Sequence, residues 1–229
     1  MRLFRIHLNP RCKEARRDLA DPYQMHATLC RAFFPEETRC PPGSLLWRLE
    51  PETDREGRPR VLIQSREIPD WSRIPVPEWL AKDDPGKTPF YFEPNAIQAG
   101  QTFRFRLRAN PCRTVHGRRQ GLMNRDAQME WLQRKGDRHG YVLAEPKSAD
   151  YFDFLSQPPG YAYSDCRVTY EQMLRGRQHG GNTIQVFSVL FEGHLSVTDP
   201  TGFRSALENG IGHGKVMGLG LLSVAPIAK

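Results

Sequence analysis

Lysine is scarce in this chain. Only seven of its 33 basic residues are lysine, leaving 26 arginines in 229 residues. Arginine donates two hydrogen bonds from a planar fork and stacks on bases, so this bias suits a phosphate-bearing partner; a GC-rich genome produces the same bias with no ligand at all. Long apolar runs are missing too. No stretch approaches the ~20 residues of a membrane span, and Met1–His7 holds no signal-peptide core, so a cytoplasmic protein without a membrane partner is expected. The five cysteines (Cys12, Cys30, Cys40, Cys112, Cys166) are odd in number and form no C-x-x-C pair, which argues against a disulfide framework or a zinc finger. The seven histidines contain no H-x-x-x-H pair, and no carboxylate cluster stands near one. No metal and no cofactor are therefore expected.

What is present is local. Between Gln101 and Gly140 ten Lys/Arg face three Asp/Glu, an excess of seven equal to the net charge of +7 for the whole chain. A concentrated basic region points to a polyanion. Its most regular part is Thr102-Phe-Arg-Phe-Arg-Leu-Arg-Ala, a period-two strand with Phe103, Phe105 and Leu107 on one face and Arg104, Arg106 and Arg108 on the other. Three like charges on one face repel unless an anion or carboxylates meet them; the anion is the expected partner here, a solvated outer face the alternative.

The order of elements suggests an α+β protein of two tandem ferredoxin-like units, residues 1–92 and 93–229. Residues 2–8 alternate as a strand. Asp21-Pro22 then opens a helix through about Phe34, with aspartate as cap and proline at the first position. Strands follow at Leu45–Glu50 and Arg60–Ser65, then a proline-rich passage from Ile68 to Pro89 that leaves room only for a short or irregular helix. Pro85–Pro89 and the tract from Pro94 to Gly100 connect the units. In the second unit the spacing predicts a helix over Asp126–Lys135 ended by Gly136, with Trp131 in the core. Residues 141–182 resist assignment, and Arg167, Arg175, Arg177 and His179 read as a basic tail before Gly180-Gly181. Ile184–Thr198 reads as a hairpin broken at Glu192-Gly193, Pro200–Asn209 as a helix ended by Gly210, and Leu219–Ala225 as the last strand.

Two places could carry chemistry. One is the run Gly210-Ile-Gly212-His213-Gly214-Lys215-Val-Met-Gly218-Leu-Gly220. It either brings main-chain N–H groups to a phosphate or makes a tight turn that packs one element on another. It is no P-loop, because Asn209 stands where the first glycine belongs and Val216 replaces the hydroxyl residue. The other is Tyr23 and His26, three apart on one helix face. A helix N-terminus attracts phosphate and lowers an imidazole pKa, which keeps the ring able to accept a proton. Equally, a histidine sharing its side of the helix with Leu29, Cys30 and Phe33 reads as a packing residue.

Taken together, Asp21-Pro-Tyr23-Gln-Met-His26, Leu46-Trp-Arg-Leu-Glu50, Pro69-Asp-Trp71, Phe105-Arg-Leu-Arg-Ala-Asn-Pro111, Trp131-Leu-Gln-Arg-Lys135, Leu190-Phe-Glu-Gly193 and the final glycine run resemble the CasE family, endoribonucleases that process precursor crRNA in type I-E Cascade. The resemblance spans the whole chain. It implies two RRM-related domains, a metal-free cut at the base of a CRISPR repeat stem-loop, and 2′,3′-cyclic phosphate and 5′-OH ends. By the same analogy His26 is the base on a ribose 2′-OH and Tyr23 positions the phosphate. Some relatives carry basic residues after the histidine; here Ala27 follows, and Arg31 is the nearest helix cation. RNA contacts are expected from Arg31, Arg104, Arg106, Arg108, Arg167, Arg175, Arg177, Gly212, His213, Gly214, Lys215, Gly218 and Gly220. The expected partners are a crRNA stem-loop and other Cascade subunits, with a monomer outside that complex. The alternative is a non-catalytic RNA-binding subunit of a ribonucleoprotein, although no RNP1-like aromatic octapeptide is present.

Overall fold

A computed structural model of the chain describes residues 1–36, 38, 40–82, 89–91, 93–144, 165–178 and 181–227. The first sheet is built from β1 (Arg2–His7), β2 (Leu45–Thr53), β3 (Pro59–Ser65) and the short β4 (Phe90–Tyr91), in the antiparallel order β2-β3-β1-β4. That order is the ferredoxin-like arrangement. Two helices, α1 (Lys13–Ala20) and α2 (Pro22–Phe33), join β1 to β2. Single 3-10 turns at Trp71–Arg73 and Pro77–Trp79 stand where the second helix belongs, as a proline-rich segment dictates. Phe4, Ile6, Val61 and Ile63 of the sheet pack on Met25, Leu29 and Phe33 of α2, each burial worth about 1.5–3 kcal/mol.

The second sheet repeats the pattern with β5 (Thr102–Ala109), β8 (Tyr141–Leu143), β9 (Cys166–Arg177), β10 (Thr183–Val197) and β11 (Leu222–Pro226). Its order is β11-β5-β10-β8, and β9 pairs with β10 along the same edge. Helices α3 (Arg125–His139) and α4 (Pro200–Asn209) cover one face. The alternation of β5 is realised: Phe103, Phe105 and Leu107 enter a core with Leu132, Phe191 and Phe203, and Trp131 stacks on Phe191 at 6.1 Å between ring centres. A separate hairpin of β6 (Cys112–Val115) and β7 (Arg118–Gly121) turns on His116 and Gly117, both with positive φ, as a two-residue type I′ loop requires.

Several boundaries differ from the sequence reading. The helix α3 passes through Gly136, which is glycine because a Cβ there would overlap the carbonyl of Tyr141; the stop is Gly140, left-handed at φ 72°. β10 is continuous across Glu192-Gly193, and Gly193 instead admits the close approach of Cys166, whose Cα would lie 2.9 Å from an added Cβ. The supposed basic tail is strand β9, so Arg167, Arg175 and Arg177 sit on a paired ribbon. His179 and Gly180 lie outside the described residues, as does most of the Pro85–Pro89 connection. The last strand begins at Leu222 rather than Leu219.

The domains are locked by charge. Arg48 on β2, 2% exposed, donates to Glu50, to the carbonyls of Arg106 (2.9 Å) and Leu221 (3.1 Å), and to Ser223 (2.8 Å). Arg106 on β5 reaches back to Glu50 and Glu52 of β2 and to Glu192 beside it on β10. Gln64 adds a bond to the carbonyl of Leu207 at the end of α4 (2.7 Å).

Candidate active site

The start of α2 is where the two domains meet. Asp21 caps the helix, its Oδ1 accepting from the N–H groups of Tyr23 (3.0 Å) and Gln24 (3.3 Å). Its Oδ2 accepts from the N–H of Arg177 at the end of β9 (3.1 Å), and the Gln24 side chain donates to the Arg177 carbonyl (3.3 Å). Gly176 permits this docking: an added Cβ would lie 2.9 Å from Tyr23 Cβ and 3.0 Å from Met217 Cε. Strand β9 therefore delivers Arg175 and Arg177 to the helix that carries Tyr23 and His26. The 3-10 turn Lys215–Met217 of the glycine run packs on the same helix.

The His26 ring is largely withdrawn from water. Burial lowers its pKa to about 4, so it is neutral at pH 7; the cause is desolvation rather than the helix N-terminus the sequence suggested. Nδ1 is buried with no hydrogen-bond partner among the described residues. Nε2 lies 3.5 Å from Cys30 Sγ, one turn along α2. Cys40, from the loop after the helix, brings a second thiol to the group; its hydrogen bond with Cys30 holds Cys40 down to about 7 and pushes Cys30 up. Their spacing along the chain matches no metal motif, yet their ligand atoms all lie within 4.8 Å of one another.

The three arginines of β5 have three different surroundings. Arg104 is exposed. Arg106 is occupied by the carboxylates of Glu50, Glu52 and Glu192, so its expected role toward RNA is replaced by one in domain docking. Arg108, 7% exposed, has a buried Nε with no partner among the described residues. It lines an interdomain cavity of about 370 Å³ with Pro22 and Met25 of α2, Trp47 of β2, Arg175 of β9 and Gly218. A buried cation facing a cavity without a carboxylate bound to it is prepared for an anion.

The glycine run divides in the same way. All five of Gly210, Gly212, Gly214, Gly218 and Gly220 have positive φ. Gly218 is buried against the Trp47 ring, 2.8 Å from an added Cβ, and Gly220 is buried with its N–H on the Arg108 carbonyl (2.7 Å). Both belong to the packing reading rather than to an RNA surface. Gly212, His213, Gly214 and Lys215 are half-buried or exposed. The pKa values of His213 and His139 are lowered first by burial and then by Lys135, Lys215 and, for one or the other, Arg119 and Arg138. The run thus borders an electropositive surface made by α3 and hairpin β6–β7, whose Arg113, Arg118 and Arg119 are exposed. The sequence reading missed that hairpin; His116-Gly117 between basic flanks was its signal. Arg31 is exposed beside Pro35, Glu36 and Arg73, about 140° around the helix from His26. Arg167 lies toward the opposite end of β9, in register with Glu192.

Two ferredoxin-like domains in tandem, closed over a helix that carries tyrosine and neutral histidine and faced by cations from the second domain, define a protein built to hold a nucleic-acid backbone. The family model described as CRISPR associated protein matches residues 1–226, and the chain belongs to that family. It is 40% identical over 232 residues to the CRISPR-associated endoribonuclease Cse3 of Thermus thermophilus, covering 99% of this chain and 100% of that one. It is 28% identical to the CRISPR system Cascade subunit CasE of Escherichia coli K12, over 90% of this chain and 93% of the relative. Among solved structures, Cse3 bound to a 19-nucleotide RNA superposes with a TM-score of 0.80 at 37% identity, covering 99% of this chain and 100% of that one. Thermus thermophilus Cse3 with an RNA representing a pre-cleavage complex gives 0.79, also at 37% identity and 98% of each chain. No helix among the described residues is long and apolar enough to cross a membrane.

Proposed function

We propose that this protein is the endoribonuclease that processes precursor crRNA, cutting each CRISPR repeat within a stem-loop. The observation that carries the reading is the docking of β9 on α2, in which the Arg177 main chain binds the Asp21 cap and Gly176 meets Tyr23, bringing the strand that bears Arg175 and Arg177 onto the helix that bears Tyr23 and His26. His26 is neutral at pH 7 and takes the proton of a ribose 2′-OH. The freed oxygen attacks the adjacent phosphorus in line, and the 5′-oxygen of the next nucleotide leaves, giving 2′,3′-cyclic phosphate and 5′-OH ends. DNA lacks this nucleophile and is not cut. Tyr23 orients the scissile phosphate, while Arg175, Arg177, Lys215 and Arg108 supply the positive charge for its developing negative charge. Arg104, Arg167, the glycine-run residues Gly212, His213 and Gly214, and the β6–β7 arginines hold the backbone of the stem, since a duplex RNA is read through shape and phosphates. The protein works in the cytoplasm as a monomer that joins other Cascade subunits with its RNA. Incubating a repeat stem-loop RNA with wild type and His26→Ala in EDTA tests the reading. Cutting by wild type alone supports it; equal cutting by both overturns it, and a 2′-deoxy substitution at the scissile nucleotide must abolish the reaction.

A further inference from the structure

The cluster of His26, Cys30 and Cys40 has a geometry that the RNA chemistry does not use. A tetrahedral zinc ion with Zn–S of about 2.3 Å and Zn–N of about 2.0 Å separates a sulfur and a nitrogen ligand by about 3.5 Å and two sulfurs by about 3.8 Å. Cys30 Sγ and His26 Nε2 stand 3.5 Å apart, and all three ligand atoms fit within 4.8 Å. Two of them come from one helix face at i and i+4, so their spacing is fixed by α2. The third rides on the loop that follows the helix, where Ser44 lies 3.6 Å from Cys40 Sγ and itself donates to the Pro41 carbonyl. All three residues are half-buried, neither sealed in the core nor loose on the surface. The donor set is one imidazole and two thiols, which favours a soft d10 cation over magnesium or calcium.

We propose that Cys30, Cys40 and His26 form a three-ligand site for a thiophilic divalent cation of the zinc type, and that filling it switches cleavage off. Binding releases two thiol protons to solvent, leaving two thiolates and a neutral imidazole around the ion with one position open to water. The lone pair of Nε2 then belongs to the metal and cannot accept a proton. This second half rests on the reading of His26 as the base. A site with three ligands and an open position is the arrangement of catalytic zinc, but here it would occupy the very atom that the metal-free reaction needs, so its effect is inhibition.

Zinc ion itself is the probe. The full-length protein is kept reduced and titrated with Zn²⁺ against a chromophoric chelator, alongside Cys30→Ala and Cys40→Ala. Cleavage of a repeat RNA is measured for each protein with and without one equivalent of Zn²⁺, each variant being compared with its own zinc-free rate. The expected result is one zinc per chain, weakened about tenfold or more by either substitution, and a zinc-dependent slowing in wild type that EDTA reverses and that Cys40→Ala escapes. Absence of saturable binding, or binding that neither cysteine affects, overturns the site while leaving His26 as the base intact. A site shown to be filled while cutting continues undiminished overturns both the switch and the assignment of His26.

Discussion

The carboxylate of Asp21 accepts hydrogen bonds from the main chain of its own helix and from that of Arg177, 156 residues further along. One side chain therefore both starts α2 and fastens the second domain to it. Asp21→Ala removes the cap, worth about 0.5–2 kcal/mol, together with the bond to β9. A lower melting temperature and a larger fall in the cleavage rate than in RNA affinity are expected. Asp199, which caps α4 in the same way through the N–H groups of Thr201 (2.9 Å) and Gly202 (3.1 Å), is the control: Asp199→Ala destabilises to a similar degree and spares the ratio of cutting to binding.

The depressed pKa of His26 fixes the pH dependence. With His26 as the proposed base the active form is the unprotonated ring, and burial moves its pKa from 6.5 down to about 4. A base with an ordinary pKa would lose activity on acidification through pH 6–7. Here the single-turnover rate stays level from pH 8 to near pH 5 and falls only as pH approaches 4. Stability has the same sign: the unfolded chain binds the proton below about 6.5 and the folded one does not, so the fold loses stability as pH drops from there toward 4. A pH–rate profile with saturating enzyme and a parallel set of thermal melts measure both.

Arg106 and Arg104 are neighbours on one face of β5 with opposite expected phenotypes. Arg106→Gln leaves Glu50, Glu52 and Glu192 without their shared cation and costs about 1–3 kcal/mol, less than for a fully buried pair because the group is partly exposed. Arg104→Gln leaves stability unchanged within about 0.5 kcal/mol and weakens RNA binding. Denaturant melts and filter binding at two salt concentrations separate the two roles.

Arg108 is the case between them. Its buried guanidinium, whose Nε has no hydrogen-bond partner among the described residues, is expected to meet RNA in the interdomain cavity, so Arg108→Met weakens binding and reduces the slope of affinity against salt by about one counterion, with little loss of stability or even a gain. An unchanged salt slope removes Arg108 from the RNA contacts.

These contrasts mark where the sequence was legible. Alternation along Thr102–Ala109 revealed both faces of β5, and Asp21-Pro22 revealed the start of α2, because those signals are local. The fate of each arginine was not local: Glu50 and Glu52 lie more than fifty residues from Arg106 in the chain, and only the facing of two sheets brings them together. Glu192-Gly193 read as a break because glycine is a poor strand residue, whereas its reason is the approach of Cys166. Likewise His26 and Cys30 share a helix face visible by counting, but Cys40 joins them through a loop whose path no spacing rule gives.

Gly218 tests the packing role of the glycine run. Its φ of 74° and the Trp47 ring 2.8 Å from an added Cβ make Gly218→Ala costly, about 2–4 kcal/mol from backbone strain and overpacking together. Gly181→Ala, at φ 86° in open space, carries only the backbone part, about 1–2 kcal/mol. Equal melting temperatures for the two variants would remove Trp47 from the account.

The dependence of the site on β9 also has a consequence in time. During synthesis, α2 leaves the ribosome well over a hundred residues before Arg175 and Arg177, and the turn at Lys215–Met217 comes later still. A nascent chain thus completes its first sheet and α2 long before the strand that fastens to Asp21 exists, and the interdomain site is assembled only once the last strands are in place.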